Sequence, residues 1–336
     1  MITRETYSER MRKFRQFMTR ALLAGILAFL MVPFLLPQPN SGTLSYREAA
    51  GQDAQFAQLN GLDVHIETRA YSGAEKNPPL IVLMHGFGAS TFSWREVIDP
   101  LAKYGEVLAY DRPAFGFTER PTQWSGENPY GFKGNFELLD ALLAKFASGR
   151  AVILVGHSAG GQLAAEYARL NPAKVQGLVL VDPAILTTGG GPSGLAWLYS
   201  VPQIQRLGPI LVSSIASSGN DVIRKSFFDQ SKLTDAVFDG YRAPLKVKGW
   251  EQAFWNFVTA PRENALKENI GGVTQPTLLI TGSDDLIVPT ADTVRLDGLI
   301  PNSELVVIPK AGHLPHEEQP DAFMQAIESH FKALLG

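Results

Sequence analysis

AVILVGHSAGGQLAAEYARL, residues 151–170, decides how the rest of the chain is read. Five apolar, mostly β-branched or aliphatic residues are followed by Gly156-His157-Ser158-Ala159-Gly160-Gly161 and then by a helical pattern. This is the strand, sharp turn and helix that a G-x-S-x-G nucleophile turn requires. A turn this tight strains the backbone at the serine and leaves no room for side chains beside it, so glycines flank it. The strain lifts the Ser158 hydroxyl off the sheet edge. The start of the helix sets backbone N–H groups next to it, ready for negative charge.

Outward from this turn, short apolar runs alternate with helical stretches. Runs at 80–84, 107–110, 151–155, 178–181, 277–281 and 305–308 read as buried strands, and 135–146, 158–170 and 321–335 read as helices. Asn60-Gly61 between 55–59 and 62–69 predicts a hairpin. The alternation implies an α/β fold with a mostly parallel sheet covered by helices on both faces. It breaks from about 183 to 270, a stretch opening with Gly189-Gly190-Gly191 and rich in Trp and Phe. That stretch reads as a helical cap inserted over the C-terminal edge of the sheet.

A hydroxyl needs a base, and the base needs an orienting acid. In sheets of this kind the expected chain order is Ser, acid, His. After the strand at 277–281 come Gly282, Ser283, Asp284 and Asp285; after the strand at 305–308 come Gly312 and His313. Both groups leave strand ends on the edge that carries Ser158, where such sheets bind ligands. Asp284 or Asp285 can be the acid, and His316 lies close to His313.

These segments together resemble the α/β-hydrolase superfamily, especially its esterase, haloperoxidase-like, dehalogenase and epoxide-hydrolase branch. The resemblance spans about 55–336, weakens through the cap and leaves out the N-terminus. The family's G-x-x-D-x-x-V-P strand end matches Gly282, Asp285, Val288 and Pro289, which implies Asp285 as the acid. Its Gly-His pair implies His313 as the base and leaves His316 structural. The segment Met84-His85-Gly86-Phe87-Gly88 resembles the family's oxyanion loop, which implies the N–H groups of Phe87 and Ala159 as oxyanion donors and His85 as a supporting residue. YDRPAFGFT at 110–118 resembles the loop that shapes the site wall. Dehalogenases and epoxide hydrolases carry Asp at the turn; Ser158 implies acyl chemistry instead. The resemblance thus implies a serine hydrolase acting on a carboxylic ester or related small, hydrophobic acyl substrate. C–C bond hydrolysis, perhydrolysis and acyl transfer use the same three residues, and a non-catalytic scaffold on this fold is the reading from another class.

Composition narrows the remaining classes. The 336 residues carry 30 basic and 33 acidic side chains, a net charge of −3, so no basic face points to nucleic acid. There is no cysteine, which excludes disulfides and thiolate metal sites, and no HExxH-type cluster suggests a metal; no cofactor is called for. Oligomeric state is not legible. Residues 1–36 stand apart: Arg4, Arg10, Arg12, Lys13, Arg15 and Arg20 precede an uncharged run at 21–36. A basic flank before an apolar run is the pattern of a signal or anchor helix. The run alone reaches about 24 Å against a bilayer core of roughly 30 Å, and Pro33 and Pro37 are expected to kink or end it. No small-x-small cleavage site follows Leu36, which favours an uncleaved anchor over a secreted or periplasmic form. Basic residues inside place the remaining domain outside the cytoplasm. Residues 37–54 read as a linker, and 55–336 as the hydrolase domain.

Overall fold

The computed structural model describes residues 4–187, 193–215, 219–261 and 265–335; the Gly189-Gly190-Gly191 opening of the cap lies outside them. The described residues form one sheet of eight strands: β1 (Gln55–Leu59), β2 (Leu62–Arg69), β3 (Leu80–Met84), β4 (Glu106–Tyr110), β5 (Val152–His157), β6 (Gly177–Val181), β7 (Thr277–Gly282) and β8 (Ser303–Ile308). Their order is β1-β2-β4-β3-β5-β6-β7-β8. Only β2 runs against its neighbours; from β4 to β8 the pairing is parallel. The expected strands all lie within two residues of their observed ends. At the hairpin, Asn60 and Gly61 take φ of 50° and 79°, the two positive values that a tight two-residue turn needs.

β3, β5, β6 and β7 are buried along their whole length. Alternate residues serve opposite faces. Leu80, Val82 and Met84 face Leu139 and Leu142 of the helix Phe132–Phe146 and Leu163 of the helix Ala159–Leu170. Ile81 and Leu83 face Trp94, Ile98 and the Phe323, Ile327 and Phe331 of the helix Pro320–Leu335. The sheet is therefore fixed from both sides, and its C-terminal edge is a rigid base for the loops that follow each strand.

Between β6 and β7 the chain forms the cap. Its longer helices are Pro202–Ile215, Gly219–Ser226, Asp235–Arg242 and Trp250–Thr259. Val212, Trp250 and Trp255 give it a small core of its own. Residues 37–54, expected as a linker, are fastened to this cap. Leu44 forms a parallel bridge with Val247. Ser41 gives its hydroxyl and its backbone N–H to Glu251 Oε1 (2.6 and 3.0 Å) and accepts Trp250 Nε1–H at 2.8 Å. The Ser45 and Glu48 of this stretch form a capping box for the short helix Tyr46–Ala50.

The N-terminal helix is longer than the apolar run predicts. It spans Arg4–Leu35, takes in the basic flank, and passes through Pro33 before ending. Within it, Glu9–Leu35 is long and apolar enough to cross a membrane, and the stretch is almost wholly unburied. At about 40 Å it exceeds the bilayer core. This helix is consistent with a membrane anchor or a signal sequence. Its end is joined to the cap where Arg206 Nη2 donates to Leu36 O (3.2 Å) and Gln38 Nε2 donates to Arg206 O (3.1 Å).

Candidate active site

Ser158 sits between β5 and the helix Ala159–Leu170 with φ 52° and ψ −118°, a left-handed conformation that costs a non-glycine residue roughly 1–3 kcal/mol. Its N–H continues the sheet ladder by donating to Val181 O at 2.8 Å. The glycines beside it are dictated by space. A Cβ at Gly160 would lie 2.1 Å from Met84 O, and one at Gly156 would lie 2.6 Å from Gly161 Cα. β3 and the helix thus meet backbone to backbone beneath the serine.

The loop after β3 runs directly past it. A Cβ at Gly86 would come within 3.2 Å of Ser158 Cβ; Phe87 is the next residue of this loop, and Ala159 is the first of the helix. This loop is held from below. Arg112 Nη2 donates to His85 O (2.9 Å) and Gly86 O (3.1 Å), and the Arg112 N–H donates to His85 Nε2 at 3.0 Å. His85 Nδ1 donates in turn to Gly86 O at 2.7 Å. Burial and the nearby Arg112 charge lower its pKa to about 3, so it is neutral. Asp111 is wholly buried and accepts from the Thr91 and Phe117 N–H groups and from His65 Nδ1. His65 is therefore paired with Asp111 as part of the loop scaffold.

The loops after β7 and β8 bring Asp285 and His313 together. His313 Nδ1 donates to Asp285 Oδ2 at 2.7 Å. Asp285 Oδ1 accepts the N–H groups of Ile287 (2.7 Å) and Val288 (3.0 Å). Asp284 is exposed and takes only the Ser283 hydroxyl. His316 is fully buried, stacks on Trp94 at 4.7 Å and bonds Ser93 Oγ at 3.1 Å. Burial, then the charge of Arg95, lowers its pKa to about 3. His157 donates from Nε2 to His313 O at 2.8 Å, and burial holds it neutral.

Ser158, His157 and His313 line a cavity of about 250 Å³ whose walls are mostly apolar, among them Phe87, Phe115, Phe254 and Trp250. The Phe87 ring packs edge-on against Phe254 at 5.3 Å. The volume lies near the lower end of small-molecule sites, roughly 300 Å³ upward, and so suits a compact ligand portion. Arg120 and Arg242 also line it. His157, Asp182 and His313 bring ring nitrogens and a carboxylate oxygen within 4.8 Å of one another. Of these two rings, one nitrogen each is committed to a hydrogen bond, His157 Nε2 to His313 O and His313 Nδ1 to Asp285. Asp182 was not singled out in the sequence, although it directly follows β6, at the same sheet edge. Glu318, whose carboxylate joins the His313 loop to the cap, was also not legible, because its partners are backbone N–H groups, which carry no residue signature, and the cap partner, Asp229, is 89 residues away.

Comparison with known proteins agrees with this architecture. A family model described as the alpha/beta hydrolase family matches residues 81–326. A 2-hydroxy-6-oxo-2,4-heptadienoate hydrolase of Pseudomonas putida is 29% identical over 80% of this chain and 94% of its own length. Monoacylglycerol lipase abhd6-A of Xenopus laevis is 26% identical over 89% and 88%. The crystal structure of a bacterial membrane phospholipase A shares the fold with a TM-score of 0.63 at 24% identity, covering 97% of this chain and 99% of that one. The matched model covers most of the sheet, the turn at Ser158 and the loops carrying Asp285 and His313, and the chain belongs to the alpha/beta hydrolase family.

Proposed function

We propose that the protein is a serine hydrolase that cleaves a carboxylic ester of a hydrophobic acyl group, with Ser158 as nucleophile, His313 as base and Asp285 as the acid that orients it. The observation that carries this reading is the pairing of a strained Ser158 at a helix start with a histidine anchored on a carboxylate, both facing one apolar cavity. His313 takes the Ser158 proton as the hydroxyl attacks the acyl carbon. Asp285 fixes the tautomer with Nδ1 protonated, leaving Nε2 free to accept, and stabilises the imidazolium that forms. The Phe87 and Ala159 N–H groups receive the oxyanion; a donor of this kind contributes about 3–4 kcal/mol. His313 then returns its proton to the leaving alcohol, and water it activates releases the acid. The monoacylglycerol lipase relative and the aromatic wall favour an apolar acyl chain.

A second reading is cleavage of an anionic keto acid, as the name of the Pseudomonas relative describes for that protein. Arg120 and Arg242 in the cavity wall favour it. The N-terminal helix anchors the chain with its basic end in the cytoplasm and the hydrolase domain on the other side. Labelling by a serine-reactive fluorophosphonate, lost in Ser158→Ala while the circular dichroism spectrum is kept, tests the nucleophile; unchanged labelling refutes it. A screen of acyl esters beside a vinylogous keto acid separates the two substrates. Protease protection in intact cells, lost when the outer barrier is breached, tests the topology; protection that persists after breaching opposes it.

A further inference from the structure

We propose that Asp182 holds a proton on Oδ2 and donates it in a hydrogen bond to Asp285, acting as a positioning residue that keeps the Asp285 carboxyl aimed at His313. This rests on reading Asp285 and His313 as the acid and base of the site.

The geometry sets the argument. Asp182 directly follows β6, is fully buried, and takes a positive φ of 44°. Its Oδ1 is satisfied by the Thr281 hydroxyl (2.6 Å) and the Gly282 N–H (3.2 Å). Its Oδ2 has no donor among the described residues. The Asp285 carboxyl faces Asp182 beside the His157 and His313 rings, and ionised it has no proton to give. Two carboxylates in contact and out of water cannot both stay charged beside one neutral imidazole, so one proton belongs to the pair. Donor count decides where it sits. Asp285 accepts three hydrogen bonds, from Ile287, Val288 and His313, spread over both of its oxygens. Asp182 accepts two, both on one oxygen, and its other oxygen is bare. A proton there converts an unsatisfied buried acceptor into a donor and closes the network. Burial and the Asp285 charge both push the Asp182 carboxyl well above the usual range. The titratable groups facing it are Asp285, His313 and His157.

Infrared difference spectroscopy tests this on the full-length protein. At neutral pH the wild type minus Asp182→Asn spectrum should contain the carbonyl stretch of a protonated carboxylic acid. The same band should move or vanish in Asp285→Asn, because its hydrogen-bond acceptor has changed from a carboxylate to an amide. No such band, or one unaffected by Asp285→Asn, overturns the proposal. In kinetics, Asp182→Ala should lower kcat about a hundredfold, the cost of a misplaced catalytic group. Asp182→Asn, which keeps shape and an N–H donor, should recover most of that loss. An Asn variant as slow as the Ala variant means that a charged carboxylate is needed and refutes the idea. Loss of fluorophosphonate labelling at Ser158 in the wild type is a separate failure, of the triad reading itself, and leaves the infrared result independent.

Discussion

His313 Nδ1 and Asp285 Oδ2 lie 2.7 Å apart, and the remaining oxygen of Asp285 is held by two backbone N–H groups of its own loop. The carboxylate is thus pinned before it meets the imidazole. Asp285→Asn should keep the shape but favour the wrong tautomer, lowering kcat by about 10⁴-fold with little change in KM. Asp284 is exposed and has no bond to His313, so Asp284→Asn should stay within about 0.5 kcal/mol, roughly twofold in rate. Steady-state kinetics on a chromogenic short-chain ester would check both. Equal losses in the two variants would reverse the assignment.

The turn beneath Ser158 gives a stability prediction. The carbonyls of Met84 and His85 lie 2.1 and 2.5 Å from where a Gly160 Cβ would stand. Both belong to backbone at the end of the central strand β3, which has no freedom to retreat. Gly160→Ala should therefore cost about 3 kcal/mol, the upper range for overpacking. Urea denaturation would measure it, and wild-type stability would show that the strand and helix can separate.

How much of this was legible follows from how local each signal is. The strands, the hairpin at Asn60-Gly61 and the turn at Ser158 are written in adjacent residues, and they were found within two positions. Asp284 and Asp285 could not be separated by residue type or strand-end position; the choice came from matching a motif, and the contact to His313 is what distinguishes them in space. Asp182 gave no motif at all, because its role depends on Thr281 and Asp285, about a hundred residues away. The contacts of residues 37–54 with the cap were hidden for the same reason. Pro, Ser and Gly mark irregular chain, but not whether that chain is docked.

His316 carries a pH signature. Its pKa is about 3 in the folded chain against 6.5 for an ordinary imidazole. Between those values the unfolded chain binds a proton that the folded chain refuses. The contribution is fully present above pH 6.5 and is lost as pH falls, at about 1.4 kcal/mol per unit. His316→Asn removes it. The stability gap between wild type and this variant should narrow by about 2 kcal/mol from pH 7 to pH 5 in denaturant titrations. A constant gap would mean that His316 takes up its proton in the folded state.

Two truncations test the docking of the N-terminal stretch. Removing residues 1–36 deletes the exposed apolar helix and leaves Ser41 on Glu251 and Trp250. That form should be soluble and retain the wild-type rate on a water-soluble ester. Removing residues 1–44 strips Glu251, only 1% exposed, of its hydroxyl and N–H donors. A buried carboxylate left without them should cost about 3 kcal/mol. Thermal melting and limited proteolysis of the cap would separate the two forms; identical melting would show that residues 37–44 add nothing.

Glu318 joins the cap to the histidine loop. It is fully buried; Oε1 accepts the Gly312 N–H at 2.6 Å and Oε2 accepts the Asp229 N–H at 2.9 Å. Gly312 precedes His313, and the His313 N–H itself donates to Ser226 O in the cap at 2.8 Å. The helix that ends at Ser226 also gives Val222 and Ile223 to the cavity wall. The cavity wall and the His313 loop are therefore joined by a direct hydrogen bond. Glu318→Gln replaces one charged acceptor by an amide that must turn an N–H toward an N–H. Hydrogen bonds to charged groups contribute about 1.5–3 kcal/mol, so stability should fall by about 2 kcal/mol. A base loop freed to shift should also lower kcat about tenfold or more, since misplacement by 1 Å can cost about a hundredfold. Faster amide exchange at residues 226–229 together with the lower kcat would support the coupling. Faster exchange with an unchanged kcat would show that the cap can loosen without disturbing His313.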